Sequence, residues 1–154
     1  MKIQEQHLYH GAALTQIVQH QSFKALNRAS KKYGHYIVNT DRHVFVKYRT
    51  KPEDETKPED EDESSWKHIF SPEELSTIDN EIMPKKRVFL CLVCGQTTVC
   101  ALDADQIQVV LDLTKKRTTM DSRGGSVWPQ LPRIREQWQT RKQGATQLVP
   151  WQSF

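Results

Sequence analysis

Side chains that could take part in chemistry concentrate in two parts of this sequence. One is a predicted strand with charged residues, and the other is an apolar run with cysteines. In the first, Asp41 belongs to a predicted turn, and Lys47 follows in a segment whose alternating residue types predict a strand. In the second, Cys91 and Cys94 are three apart and Cys100 follows. A structural zinc site needs four converging ligands, and residues three apart on a strand point to opposite faces. We therefore predict no metal site there and interpret the three cysteines as buried core residues.

The positions of Asp41 and Lys47 resemble a pattern of the restriction-endonuclease-like (PD-(D/E)XK) nucleases. In that family the core elements run α-β-β-β-α-β, which is similar to the order predicted here from His10 to Cys94, and an Asp precedes a strand that ends in acid-x-Lys. The resemblance implies Asp41 as a ligand for Mg²⁺ or Mn²⁺ and Lys47 as the support of an attacking water. The triplet of this chain is Phe45-Val46-Lys47, so a phenylalanine stands where the second acid belongs.

Basic side chains concentrate at the two ends of the sequence. Residues 1–50 and 114–154 each hold eight Lys/Arg against two acids, whereas residues 51–65 hold eight acids against two lysines. A basic surface attracts polyanions and releases their counterions. A helix is predicted from Ser22 to Gly34. It would align four of the bases in one stripe, namely Lys24, Arg28, Lys31 and Lys32. The residues predicted to bind phosphates are Lys24, Arg28, Lys31, Lys32, Lys47, Arg49, Arg133 and Arg135.

Three functions follow from these patterns. The leading prediction is a non-catalytic, nucleic-acid-associated protein that binds DNA or RNA through a basic face and needs no cofactor. The first alternative is a divergent metal-dependent nuclease that uses Asp41 and Lys47 for catalysis. The second alternative is a protein-interaction or regulatory module, homodimeric through the tryptophans of its tail. Those tryptophans are Trp128, Trp138 and Trp151.

The order of the predicted helices and strands that position these residues indicates an α+β fold. The order is α-β-β-(acidic loop)-β-α-β-β-α, with a mixed or antiparallel sheet of about five strands. The first helix is predicted over His10–His20, and a hairpin pairs Tyr36–Asn39 with His43–Arg49. The later elements are a third strand at Trp66–Phe70, a helix capped by Ser71 with Glu74 at the capping-box position and ended by Pro84, the most buried strand at Val88–Cys94, its partner at Thr98–Leu102, a helix from Asp103 or Ala104 to Leu113, and a short strand at Thr118–Ser122.

One domain is predicted over residues 7–113, with residues 114–154 as a basic extension packed on or beside it and a helix at 132–141. The acidic segment 51–65 repeats Lys-Pro-Glu-Asp and has no apolar residue to bury, so we predict a disordered insert. The chain shows neither a secretory leader nor an apolar run of about 18 residues. Because three cysteines cannot all pair, we predict a cytoplasmic protein without membrane contact.

Four segments resemble a family of short, uncharacterised bacterial proteins. They are Tyr33–Asn39, Val44–Tyr48, Trp66–Phe70 and Val88–Cys94, and the resemblance covers roughly residues 8–113. It implies a compact bacterial domain to which the acidic segment is an addition, and it implies no activity.

Overall fold

The computed structural model describes residues 2–30, 34–52, 65–82, 87–96, 98–111, 113, 118–123 and 126–129. The α+β class predicted from the sequence is confirmed. The elements in chain order are α1 (Glu5–Val18), β1 (Leu26–Arg28), β2 (His35–Val38), β3 (Arg42–Arg49), β4 (Ser65–Phe70), α2 (Pro72–Glu81), β5 (Arg87–Cys94), β6 (Thr98–Asp103), α3 (Ala104–Val110), β7 (Thr118–Arg123) and β8 (Ser126–Pro129). No helix in these ranges is long and apolar enough to cross a membrane.

The larger sheet has five strands in the order β1-β2-β3-β5-β6. Strands β3 and β5 are parallel, and the other neighbours are antiparallel. A parallel pair needs a crossover connection, and the segment that contains β4 and α2 provides it. Strand β5 is buried from Val88 to Cys94, as expected for an apolar run with protein on both faces. The prediction that this is the most buried strand and that β2 and β3 form a hairpin is confirmed.

The five-stranded sheet is the middle of three layers. On one face, Ala13 and Ile17 of α1 pack with Val44 and Val46 of β3. On the other face, α2 and α3 pack with a different set of strand residues: Phe45, Val88, Leu90, Leu92, Cys100 and Leu102. We call these the α1 face and the α2 face. Since side chains alternate along a strand, the even-numbered residues of β3 lie on the α1 face and the odd-numbered ones on the α2 face.

The segment after Ser22 differs from its prediction as a helix. It turns and then forms the edge strand β1. The side chain of Asn39, a turn residue with φ of 58°, accepts hydrogen bonds from the Lys24 amide at 2.8 Å and the Ala25 amide at 3.3 Å, and donates to the Ser22 carbonyl at 3.1 Å. Pairing with β2 thus overrides a weak local helix preference. The predicted basic helical stripe is wrong, because Lys24 and Arg28 do not share a helix.

Strand β4 also differs from its prediction, since it lies outside the five-stranded sheet. It pairs with β7 in a second sheet of order β4-β7-β8. The short strand predicted at Thr118–Ser122 is confirmed as β7, while β8 was not predicted. Helix α2 begins as predicted, with the Glu74 amide donating to Ser71 Oγ at 3.2 Å and the Ser71 amide donating to Glu74 Oε2 at 2.8 Å.

Several predictions fall outside the part of the chain that the structure describes. They are the insert over residues 53–64, the helix at 132–141, and the roles of Lys31, Lys32, Arg133, Arg135, Trp138 and Trp151. Trp128 falls in the backbone of β8. Self-association through the tail tryptophans stays a prediction.

Candidate functional site

Strand β3 carries the polar side chains around which a site can be built. Its odd positions place His43, Phe45, Lys47 and Arg49 on the α2 face, and its even positions place Arg42, Val44, Val46 and Tyr48 on the α1 face. Polar residues on the two faces therefore meet different helices, although they are neighbours in sequence.

Helix α2 presents two carboxylates to the α2 face. Glu74, Ile78 and Glu81 are spaced i, i+4, i+7, which places them on one side of a helix. The Nζ of Lys47 lies 2.5 Å from Glu74 Oε1, and the Nδ1 of His43 lies 3.2 Å from Glu81 Oε2. One helix side thus supplies an anionic partner to each of two basic residues on the strand.

The Lys47–Glu74 pair is held in place by its neighbours. Lys47 Nζ is 5.3 Å from the centroid of the Phe70 ring, and the second oxygen of Glu74 accepts the Ser71 amide. The two charged side chains are 27% and 20% exposed. The pocket beside them has a cavity volume of about 20 Å³, enough for about one water molecule. The charge of Lys47 is therefore balanced by Glu74.

Asp41 does not converge with Lys47. Asp41 is exposed in the turn before β3, and Lys47 is six residues further along the chain. At about 3.3 Å per residue of strand, the two Cα atoms are about 20 Å apart. Phe45, at the acid position of the nuclease triplet, belongs to the core on the α2 face. Among the described residues, no group of three His, Cys, Asp or Glu side chains could hold a metal ion.

Two histidines and Glu81 form a hydrogen-bonded cluster at the other end of β3. His35 Nε2 lies 3.0 Å from His43 Nδ1, and the His35 ring stacks on Phe45 with centroids 4.2 Å apart. Because His43 Nδ1 also faces Glu81, a proton on this nitrogen is donated to the carboxylate or to the neighbouring imidazole. The approach of these two histidines across the hairpin agrees with their positions at its ends in sequence.

His68 and the cysteines lie in buried, apolar surroundings. His68 Nε2 is 3.7 Å from Cys94 Sγ, and His68 Nδ1 is buried with no hydrogen-bond partner. Burial, followed by the nearby charges of Lys47 and Arg49, lowers the pKa of His68 to about 4. All three cysteines are buried, and none forms a disulfide. Burial raises the pKa of Cys91 and of Cys100 to about 12, which keeps both thiols protonated and unreactive.

His10 is a structural residue of the α1 face. Its Nδ1 lies 3.1 Å from the Tyr36 hydroxyl, and its ring meets the rings of Tyr36 and Tyr48 edge-on. Burial, and then the charges of Arg28 and His7, lower the pKa of His10. The imidazole is therefore neutral near pH 7 and packs between α1 and the sheet.

The α1 face also carries arginines that the sequence patterns did not single out as a group. Arg42 and Arg87 lie opposite each other where β3 and β5 begin. The Nε and Nη1 atoms of Arg42 are buried and have no hydrogen-bond partner. Arg28 lies opposite Tyr36 on the same face. The run Lys85-Lys86-Arg87 before the most apolar strand was the only local signal for this end of the sheet.

The residues predicted to bind phosphates are in several environments. Lys24, Arg28 and Arg49 are exposed, whereas Lys47 is partly buried and paired with Glu74. Comparisons with protein-family models, curated proteins and solved structures found no match for this chain.

Proposed function

We propose that this protein binds nucleic acid without cleaving it, through cationic side chains on the α1 face of its five-stranded sheet. The observation that supports the proposal is a segregation of charge between elements. Helices α2 and α3 carry five acids and no Lys or Arg. The strands of the five-stranded sheet carry one acid, Asp103, and a set of cations: Arg28, Arg42, Lys47, Arg49 and Arg87.

The α1 face is the better surface for phosphates. On the α2 face Lys47 is neutralised by Glu74, and the acids of α2 would repel a polyanion. On the α1 face lie three of the cations, Arg28, Arg42 and Arg87. Arginine suits this role because its planar guanidinium donates several hydrogen bonds to phosphate oxygens.

The geometry around Lys47 favours binding over metal-dependent cleavage. Glu74 is the carboxylate that pairs with Lys47, Phe45 fills the position of a second acid, and Asp41 is about 20 Å away. The sequence predicted this core order with Trp66–Phe70 as the third strand; that strand lies in the second sheet, and with β1 counted in its place the elements from α1 to β5 run α-β-β-β-α-β. This order is that of the nuclease core which the sequence resembles, and it supports nucleic acid as the polyanion.

The test is fluorescence anisotropy of labelled single-stranded and duplex DNA and RNA over a range of salt concentrations. We expect binding that weakens steeply with salt, with a slope of about −0.9 in log K against log salt for each duplex phosphate neutralised. Arg87→Gln should reduce this slope by about 1. Arg49→Gln is the matched control, since it removes an exposed strand arginine on the α2 face.

Binding that does not respond to salt, or no retention at low salt, would contradict the proposal. An equal loss in both variants would contradict the assignment to the α1 face. Cleavage that requires Mg²⁺ or Mn²⁺ and disappears in Asp41→Ala or Glu74→Gln would replace binding by the nuclease alternative.

A further inference from the structure

We propose that Arg42 and Arg87 form a discrete site for one phosphate group where β3 and β5 begin. The inference rests on the proposed function and deepens it, because it assigns a particular phosphate contact to a particular pair of side chains. A general basic surface attracts phosphates without fixing any of them, whereas a discrete site binds one at a defined position.

The first observation is the unmet hydrogen bonding of Arg42. Its Nε and Nη1 atoms are buried, and neither has a partner. Native proteins satisfy most buried polar groups, so each exception requires an explanation. The side chain as a whole is only partly buried, so rotation about its outer bonds brings the guanidinium to a ligand that approaches from solvent. A bound oxyanion supplies the acceptors that the protein itself does not.

The second observation is that the neighbouring acids serve other groups. Glu81 lies on the opposite face, 3.2 Å from His43. Asp103 lies on β6 opposite Phe89, also on the α1 face, and caps α3 by accepting a hydrogen bond from the Gln106 amide at 2.9 Å. Asp41 is exposed in the preceding turn. The strand residues level with Arg42 on the α1 face are Val38, Leu26 and Arg87. This row therefore has two guanidinium groups and no carboxylate.

The third observation is the position of Arg87. It is exposed and in parallel register with Arg42, and both side chains lie on the α1 face. Adjacent strands are about 4.8 Å apart, so one phosphate can accept hydrogen bonds from both guanidinium groups. Lys85 and Lys86 immediately precede Arg87 in the sequence. The ligand that fits is a phosphate monoester or diester, either on a nucleic-acid backbone or as a free phosphate.

The experiment titrates inorganic phosphate against the full chain at constant ionic strength, with the melting temperature and ³¹P line width as readouts. We expect a saturable rise in Tm, because a ligand that binds only the folded state stabilises it. Arg42→Gln and Arg87→Gln should each weaken phosphate binding about tenfold, the loss expected for one charge-assisted hydrogen bond of roughly 1.5 kcal/mol. Arg49→Gln should leave phosphate binding unchanged, and Arg42→Lys should not restore it, because lysine lacks the planar fork.

Arg87 keeps the test decisive if Arg42→Gln alters folding, since Arg87 is exposed. The source of the phosphate is distinguished by a second titration with a dinucleotide that carries a phosphodiester but no terminal phosphate. An equal rise in Tm with phosphate in wild type and in both glutamine variants would overturn the site. Absence of saturable phosphate binding, with salt-dependent nucleic-acid binding intact, would overturn the site and leave the proposed function standing. Phosphate binding lost in both variants, without any retention of nucleic acid, would support the site and overturn the proposed function.

Discussion

The two faces of strand β3 treat their basic residues differently. On the α2 face, Lys47 and His43 each meet a carboxylate of one helix, Glu74 and Glu81. On the α1 face, Arg42 retains two buried nitrogens without a partner. The difference follows from the helices that cover the faces, because α2 carries acids on the side toward the strand and α1 presents Ala13, Ile17 and His10. Lys47 and His43 meet carboxylates because α2 offers them, whereas the buried side of α1, formed by His10, Ala13 and Ile17, offers Arg42 none.

The contrast also separates stability from binding. Paired charges on the α2 face fix the position of α2 and leave little capacity for an external ligand. The unmet donors of Arg42 contribute nothing comparable to the packing and remain available. The face with the poorer internal pairing is therefore the better candidate for recognition.

The close approach of α1 is the feature whose disruption should have the largest effect. A Cβ on Gly34 would lie 2.5 Å from His10 Cε1 and 2.5 Å from the Val46 carbonyl oxygen. Gly34→Ala should destabilise the protein by about 3 kcal/mol, the upper end of typical overpacking effects. The matched control is Gly11→Ala in α1, where a Cβ meets nothing within 4 Å; it should stabilise by roughly 0.5–1 kcal/mol. Urea denaturation of both variants measures the difference, and equal stabilities would show that α1 does not press on the sheet there.

His68 should produce the next largest effect, as an acid-dependent loss of stability on the α2 side. Burial lowers the pKa of His68 to about 4, while an unfolded histidine titrates near 6.5. Between these two pH values the unfolded chain therefore binds more protons than the folded protein. The contribution of neutral His68 to the free energy of unfolding is fully present above about pH 6.5 and is lost as the pH falls toward 4. We expect His68 to account for a loss of about 2 kcal/mol between pH 7 and 5. Unfolding across this range should show a flatter profile in His68→Leu than in wild type or in the control His7→Gln, which alters an exposed imidazole.

The contrast between the paired cations of the α2 face and the unpaired nitrogens of Arg42 is tested by smaller changes in the free energy of unfolding, which should have opposite signs on the two faces. Glu74→Gln should destabilise by roughly 1–2 kcal/mol, because Lys47 is partly buried and loses its partner. Glu73→Gln, in the same helical turn but exposed, should cost less, because the interactions of an exposed charge are weakened by solvent. Arg42→Met should leave stability unchanged or raise it slightly, because it removes unsatisfied buried donors. Thermal unfolding ranks the three, and a large destabilisation in Arg42→Met would mean that the two faces are equivalent.

The features that the sequence predicts correctly are those with a local cause. The cap of α2 needs only Ser71, Pro72 and Glu74, and the burial of β5 is evident from its continuous apolar run. The sequence also placed Lys47 on a strand, but it identified no helix carboxylate beside it. Glu74 was recognised only as a capping residue, because a cap is visible within four residues and an ion pair between separate elements is not.

Sequence by itself determined the α+β class, the β2–β3 hairpin, the start of α2 and the burial of β5, since period, caps and turn residues act over a few positions. Only the tertiary structure decided that the segment after Ser22 is a strand, because its contacts come from Asn39, and that β4 joins a second sheet. It also decided which of the many basic residues stand together. Arg42 and Arg87 are far apart in the chain and become neighbours only through the parallel pairing of β3 with β5. Long-range pairing of this kind depends on the burial of the whole sheet, which no local pattern encodes.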